Sequence, residues 1–196
     1  MVARRRDVAL AGHRGDARAV REYRRDPAPE VRAAALGALA RAGDLQPADL
    51  QAGLTDEAAP VRRRAAELAA TCPGDAAPHL GPVLEDPDPS VVEMAAWACG
   101  ERAPPEPGAV AALAQVATDH DDPLCREAAV AALGALGDPA GLPAILAATS
   151  DRPAVRRRAV LALAPFAGPE VEAALQRALE DRDWQVRQAA EDLLGR

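Results

Sequence analysis

One pattern returns down the whole of this 196-residue chain. Its first clear copy is Asp26 to Asp44, DPAPEVRAAALGALARAGD: an Asp-Pro opening, a Val-Arg pair, an Ala/Leu stripe and a Gly-Asp close. Aligned on the Val, the copies are anchored at Val31, Val61, Val91, Cys125, Val155 and Val186, at intervals of 30, 30, 34, 30 and 31 residues. A period of this size kept over six units predicts a helical solenoid. Each unit is a supersecondary element that buries its apolar face only against its neighbours.

The offsets inside each unit define a helix. Four residues after the anchor stands Ala in every copy: Ala35, Ala65, Ala95, Ala129, Ala159 and Ala190. Eight after it come Leu39, Ala69, Cys99, Leu133, Leu163 and Leu194. Positions i, i+4 and i+8 share one helical face. We call this the B helix and expect neighbouring helices to come closest at the offset-four Ala. Composition agrees: 49% of residues are hydrophobic but only 2% aromatic, and the apolar content is mostly Ala, Leu and Val. Ala and Leu are strong helix formers, and strand-favouring residues are scarce.

A shorter A helix precedes each B helix. Candidates are Asp16–Arg25, Pro47–Leu54, Ala76–Leu84, Gly108–Thr118, Pro143–Thr149 and Pro169–Glu180. Asp26-Pro27, Asp86-Pro87 and Asp122-Pro123 fit A–B turns, Asp as N-cap and Pro in the first turn. Gly43-Asp44, Pro73-Gly74, Gly137-Asp138 and Gly168-Pro169 fit a helix stop and a new start. RAPPEPG, Arg102 to Gly108, is a stiff connector that lengthens one interval. Met1 to Gly15 reads as a lone B helix. The expected organisation is a single domain over 1–196, with repeats at 1–15 (partial), 16–43, 44–73, 74–103, 104–137, 138–167 and 168–196. Polar Glu191 and Asp192 in the last B helix suit a terminal repeat.

Charge and chemistry narrow the function. The net charge is -7 and every basic residue is Arg. An acidic chain is a poor general binder of nucleic acid or anionic membrane. No run approaches the roughly 20 apolar residues of a membrane span, and VALAG after the basic N-terminus is too short for a signal peptide. A cytoplasmic protein is expected, and the Arg-, Ala- and Gly-rich composition suggests a GC-rich bacterial genome. Cys72, Cys99 and Cys125 form no C-x-x-C, so neither a disulfide framework nor a zinc site is implied. Cys99 and Cys125 fall on apolar helix positions. No Walker A, G-x-S-x-G or H-E-x-x-H motif occurs. His13, His79 and His120 fall in turns or at helix edges, apart from any metal-ligand spacing. No catalytic residue, cofactor or metal site is predicted.

These residues resemble HEAT repeats of the short bacterial kind, often called PBS-lyase HEAT-like repeats. The clearest unit is Asp122 to Thr149, DPLCREAAVAALGALGDPAGLPAILAAT. The resemblance implies an all-α, right-handed α-α superhelix of about six two-helix repeats plus the N-terminal partial one. It also implies a polar ladder of turn Asp and helix-B Arg. The matching pairs are Asp26 with Arg32, Asp56 with Arg62 and Asp181 with Arg187; Asp151 with Arg156 is one residue shorter. His120 takes the strict Asp position of the fourth unit, with Asp121 as a substitute, and Val92 replaces the third unit's Arg, so the ladder is expected to be interrupted there.

The same resemblance places binding on a concave face lined by B helices. Offsets two, three and six point away from the apolar stripe. They give Ala33, Ala34 and Gly37; Arg63, Arg64 and Glu67; Glu93, Met94 and Trp97. Next come Glu127, Ala128 and Ala131; Arg157, Arg158 and Leu161; Gln188, Ala189 and Asp192. Trp, Met and Arg are enriched in interface cores. The candidate partner site is therefore Trp97, Met94 and Glu93 flanked by Arg63, Arg64, Arg157 and Arg158, suited to an acidic segment of a partner protein. Trp184 is expected to pack or cap the end. The expected function is a non-enzymatic protein-interaction scaffold. The competing classes are a lyase- or deoxyhypusine-hydroxylase-like enzyme, whose iron-binding His-Glu pairs are absent here, and a DNA-glycosylase-like DNA binder, which the acidic total disfavours.

Overall fold

The computed structural model describes residues 2–72 and 77–195. Among them the secondary structure is twelve α-helices with three short 3-10 segments and no strand. Internal contacts gather the chain into two compact units, Met1–Ala95 and Ala96–Arg196, with the boundary inside one helix.

In the first unit the B helices are α1 (Val2–His13), α3 (Pro29–Arg41), α5 (Ala59–Ala69) and the start of α6 (Pro89–Glu101). The A elements are α2 (Ala17–Glu22), α4 (Pro47–Leu54) and the 3-10 segments Tyr23–Arg25 and Gly81–Glu85. The third A helix, expected over Ala76–Leu84, is thus a single 3-10 turn in its described part. Pro78 and Pro82 account for this, because neither has an N–H to give to a helix ladder. The expected turn Pro73-Gly74 lies outside the described residues.

In the second unit α6 runs to Glu101, and the remaining B helices are α8 (Pro123–Leu136), α10 (Pro153–Ala162) and α12 (Trp184–Leu194). The A helices are α7 (Ala109–Asp119), α9 (Leu142–Ala148) and α11 (Pro169–Ala178). Glycines mark the helix ends: Gly43 and Gly137 follow α3 and α8 with φ of 70° and 64°, and Gly168 opens α11 with φ of 129°, a region that an L side chain resists. The connector after α6 is tied across itself by the ion pair of Arg102 Nη1 and Glu106 Oε2 at 2.9 Å.

The stripe is the core. All six offset-four Ala are fully buried, and the anchors are buried with them. In the first unit Val8, Val20, Val31, Ala35, Ala38 and Leu39 form one cluster, against which Tyr23 and Leu45 pack. Burying each Val or Leu of this kind contributes about 1.5–3 kcal/mol. Backbones also approach closely away from the offset-four Ala. A Cβ built on Gly12 would lie 2.6 Å from the Ala38 Cβ; on Gly100, 2.8 Å from the Ala132 Cα; on Gly134, 2.7 Å from the Ala162 Cα. In anchor offsets each is position nine of one B helix against position seven of the next. The approach that demands glycine therefore falls at offset nine.

Cys99 and Cys125 are buried in the stripe and Cys72 is half-buried. Burial pushes the Cys99 thiol up to about 12, with Glu106 adding to the effect and Arg102 opposing it. The thiolate is the reactive form. At pH 8, iodoacetamide followed by peptide mapping is expected to label Cys72 in the native protein and Cys99 only after unfolding. Rapid labelling of native Cys99 would contradict this packing.

Candidate functional site

The polar ladder comes first, because it fixes how each B helix presents its outer face. Each ladder arginine except the last, Arg187, makes two different connections. Its Nη1 donates to a backbone carbonyl of its own A–B turn: Arg32 to Asp26, Arg62 to Asp56, Arg126 to His120, Arg156 to Asp151 and Arg187 to Asp181, all at 2.7–2.9 Å. Its Nε and Nη2 then fork onto a carboxylate one unit further on. The forks are Arg32 on Asp56, Arg62 on Asp86, Arg126 on Asp151 and Arg156 on Asp181, all at 2.6–2.9 Å. Arg4 of the partial repeat reaches the Asp26 carboxylate by a single ion pair, Nη1 to Oδ2 at 3.2 Å.

This corrects the pairing within units expected from the sequence. Asp26 with Arg32, Asp56 with Arg62, Asp151 with Arg156 and Asp181 with Arg187 meet through the Asp carbonyl, while the carboxylates bind the preceding unit's arginine. Asp26, Asp56, Asp86 and Asp181 also accept the N–H two residues on, at 2.8–2.9 Å. Asp26 and Asp56 are therefore not the N-caps, which are Ala28 and Ala58; Asp122 and Asp183 are N-caps. His120 keeps the turn by accepting the Asp122 N–H at Nδ1, 3.0 Å away. Val92 is fully buried and offers no guanidinium, as expected from its side chain.

The electrostatics follow the geometry. The hydrogen bonds from Arg126 and Arg156 hold the carboxyls of Asp151 and Asp181 below the usual carboxylate range, against the effect of burial. For Asp56 and Asp86 burial pushes upward most strongly, and the hydrogen bonds from Arg32 and Arg62 and the turn N–H groups together outweigh it. The arginines are raised in turn, chiefly by those same bonds.

A second network escaped the sequence reading. Asp49 on α4 is buried, 3% exposed. It accepts from Arg21 Nη1 at 3.1 and 3.2 Å, from Arg24, and from its own Gln46 N–H at 3.0 Å. Arg21 also forks onto Asp44, at 2.7 and 3.0 Å. The i,i+3 spacing of Arg21 and Arg24 was the available signal, but no other unit repeats it.

The candidate partner residues lie on the outer faces of B helices. Arg63 is exposed on α5; Arg64, half-buried beside it, pairs with Glu67 at 2.6 Å. Glu93, Met94 and Trp97 occupy one turn of α6, and Trp97 is 43% exposed. Arg157 is exposed on α10, and Arg158 donates to Glu127 of α8 at 3.3–3.4 Å. Arg63, Arg64, Glu93 and Met94 belong to the first unit, and Trp97, Arg157 and Arg158 to the second. Two expectations for the outer positions fail: Gly37 and Ala189 are buried. Gly37 is covered by Arg64, whose Nη2 lies 2.5 Å from where a Cβ would stand. Trp184, expected to pack or cap the end, is 64% exposed. It stands at the first helical position, which Pro29, Pro89, Pro123 and Pro153 fill in other units and which faces outward. Among the described residues, no group of three or more His, Cys, Asp or Glu could hold a metal ion, and no helix is long and apolar enough to cross a membrane.

Stacked two-helix units joined by an Arg–Asp ladder define the class of helical repeat proteins. The solved structures agree in fold. A designed armadillo repeat protein in complex with the peptide (KR)4 matches with a TM-score of 0.67 at 19% identity, covering 91% of this chain and 98% of that one. An engineered protein of known crystal structure matches at 0.66 and 23% identity, covering 92% and 97%. Human deoxyhypusine hydroxylase in complex with glycerol matches at 0.52 and 24% identity, covering 99% and 78%. No curated protein sequence matches. The family description "HEAT repeats" matches residues 77–153 and 142–196, more than half of the chain. The chain belongs to the HEAT repeat family.

Proposed function

We propose that this protein is a non-enzymatic scaffold that binds a partner protein through the outer faces of its B helices. The observation that carries the reading is Trp97, a large aromatic left 43% exposed in the middle of α6. Such a residue on a rigid helix is an interface anchor at low entropic cost. Arg63 and Arg64 on α5 provide positive charge in the first unit, Arg157 and Arg158 on α10 provide it in the second, and each pair suits an acidic segment. The designed armadillo relative, solved with a bound peptide, supports a peptide-binding use of this fold. The likeness to deoxyhypusine hydroxylase extends to fold, whereas no His-Glu dipeptide occurs in this sequence.

The test places a photocrosslinking amino acid at position 97 in cells of the source organism and identifies the crosslinked protein. Trp97→Ala is then expected to weaken binding of that protein by about 30-fold, the scale of a hot-spot residue, with the far-UV helical signal unchanged. Equal binding by the variant sinks the Trp97 site. Stoichiometric iron in the purified protein would favour an enzyme of the hydroxylase type.

A further inference from the structure

The residues that look least informative in the sequence line a surface depression on the B-helix faces. Ala33, Ala34 and Gly37 of α3 line a depression of about 350 Å³ in the first unit. Arg5 of α1, Arg41 of α3 and Arg64 of α5 stand around it, with Glu30 as the acidic member of the lining. The cavity lies where this unit has small residues at offsets two, three and six, the positions at which the next two units carry Arg63, Arg64 and Glu67, and Glu93, Met94 and Trp97. Gly37 has a specific part in it: only a residue without a Cβ lets the Arg64 guanidinium lie against α3, with Nη2 2.5 Å, Nε 3.1 Å and Cζ 3.2 Å from the Cβ position.

We propose that this depression is a receptor for a carboxylate side chain of an extended acidic segment of a partner protein. The proposal rests on the scaffold reading and gives it a subsite and a ligand chemistry. The argument is charge complementarity. Three guanidinium groups face one carboxylate in the lining, and among the described residues neither Arg5 nor Arg41 has an acidic partner. Arg64 is held by Glu67, which leaves its Nη2 edge over Gly37. Guanidinium groups bind carboxylates through paired N–H donors. The chain carries a net charge of -7, so its overall field repels an acidic ligand and attraction must be local. The floor is apolar and without long side chains, which leaves room for the methylenes of a glutamate.

The experiment is a fluorescence-anisotropy titration with a fluorescein-labelled acetyl-(Glu-Ala)4-amide peptide at low salt, and with (Lys-Arg)4 as the opposite charge. Binding of the first and not the second is expected, weakening as salt rises. The double variant Arg41→Ala/Arg64→Ala should lose about tenfold in affinity or more. Ala33→Glu should lose as much by placing a carboxylate on the floor. Gly37→Ala, which strengthens the helix, should lose about threefold by lifting Arg64 from α3. Circular dichroism checks that each variant is folded.

Arg18→Ala/Arg25→Ala removes two exposed charges of the same unit outside the cavity and is expected to change binding little; an equal loss there overturns the proposal in favour of bulk charge. Tighter binding of an eight-nucleotide oligothymidylate than of the peptide also overturns it. If Arg41→Ala/Arg64→Ala binds like wild type while Arg157→Ala weakens binding, the cavity is wrong and the scaffold reading stands. If the folded wild type binds no acidic peptide, the cavity proposal falls, and crosslinking at position 97 decides the scaffold reading by itself.

Discussion

Replacing Asp181 by Ala is expected to destabilise the protein by about 3 kcal/mol, measured by urea denaturation followed at the helical signal. The side chains of Arg156 and Asp181 are only 8% and 14% exposed. Removing the carboxylate leaves a guanidinium fork largely out of water with no charge to meet, and breaking such a pair costs about 3–5 kcal/mol when burial is complete. The lower end applies here because part of each group touches solvent. Replacing both partners, Arg156→Met with Asp181→Leu, should recover most of the loss, since the cost lies in the orphaned charge rather than in the absence of a pair.

The same pair gives a pH dependence. Its hydrogen bond from Arg156 holds the Asp181 carboxyl below its unfolded value, despite burial. The pair's stabilisation is therefore full above the unfolded carboxylate pKa of about 3.9 and is lost as pH falls through the lower folded value. The stability difference between wild type and Asp181→Asn should narrow below about pH 4. A difference unchanged down to pH 2 would show that the fork does not act through charge.

The second large effect is at Gly134. In an ordinary helix interior Gly→Ala stabilises by about 1 kcal/mol. At Gly134 the new Cβ meets Ala162 at 2.7 Å from both Cα and Cβ and 3.1 Å from the carbonyl oxygen. Backbone atoms of a packed helix cannot step aside as a side chain can. Gly134→Ala is expected to destabilise by about 2 kcal/mol, the scale of core overpacking, and Ala162→Gly in the same chain should restore part of it. At Gly37 the obstacle is the far end of Arg64, so Gly37→Ala is expected to leave stability unchanged or raise it. Two mid-helix glycines thus give opposite signs in one thermal-melt series. A gain at Gly134 would mean that α8 and α10 stand further apart than described.

The fold was readable where a side chain declares its own environment. Val31, Ala35 and Leu39 and their counterparts recur at helical spacing because the stripe must be apolar in every unit, and the structure buries it except at Leu194 of the last unit, which is half-buried. The bounds Pro47–Leu54 and the start at Pro169 were legible because proline opens a helix in only one way. The ladder's acceptors were not. Arg32 stands six residues from Asp26 and 24 from Asp56, and sequence spacing cannot say which Asp offers its carboxylate and which its carbonyl. In the third A element the apolar residues suggest a helix, and Pro78 and Pro82 reduce it to the 3-10 segment Gly81–Glu85. The buried Asp49 was missed because a single carboxylate on an irregular A helix has no periodic signal. The cavity at Ala33, Ala34 and Gly37 was passed over for a different reason: it is made by absent side chains. A search for conspicuous residues finds Trp97 and Arg63 but not the space beside them.

The rungs have a consequence for how such a chain can grow. Each ladder arginine before Arg187 donates forward, and each ladder aspartate receives from behind. A block cut from one aspartate to the next therefore carries a donor at its front and the matching acceptor at its back. Duplicating such a block, or deleting one that is followed by a ladder aspartate, leaves the remaining arginines with a carboxylate of the same kind; the junction of the third and fourth units, with Val92 and His120, is the exception. Outside the junction of the third and fourth units, neighbour recognition in this chain is a two-part connector repeated in tandem, so its length can change there by whole units without redesign of the ladder.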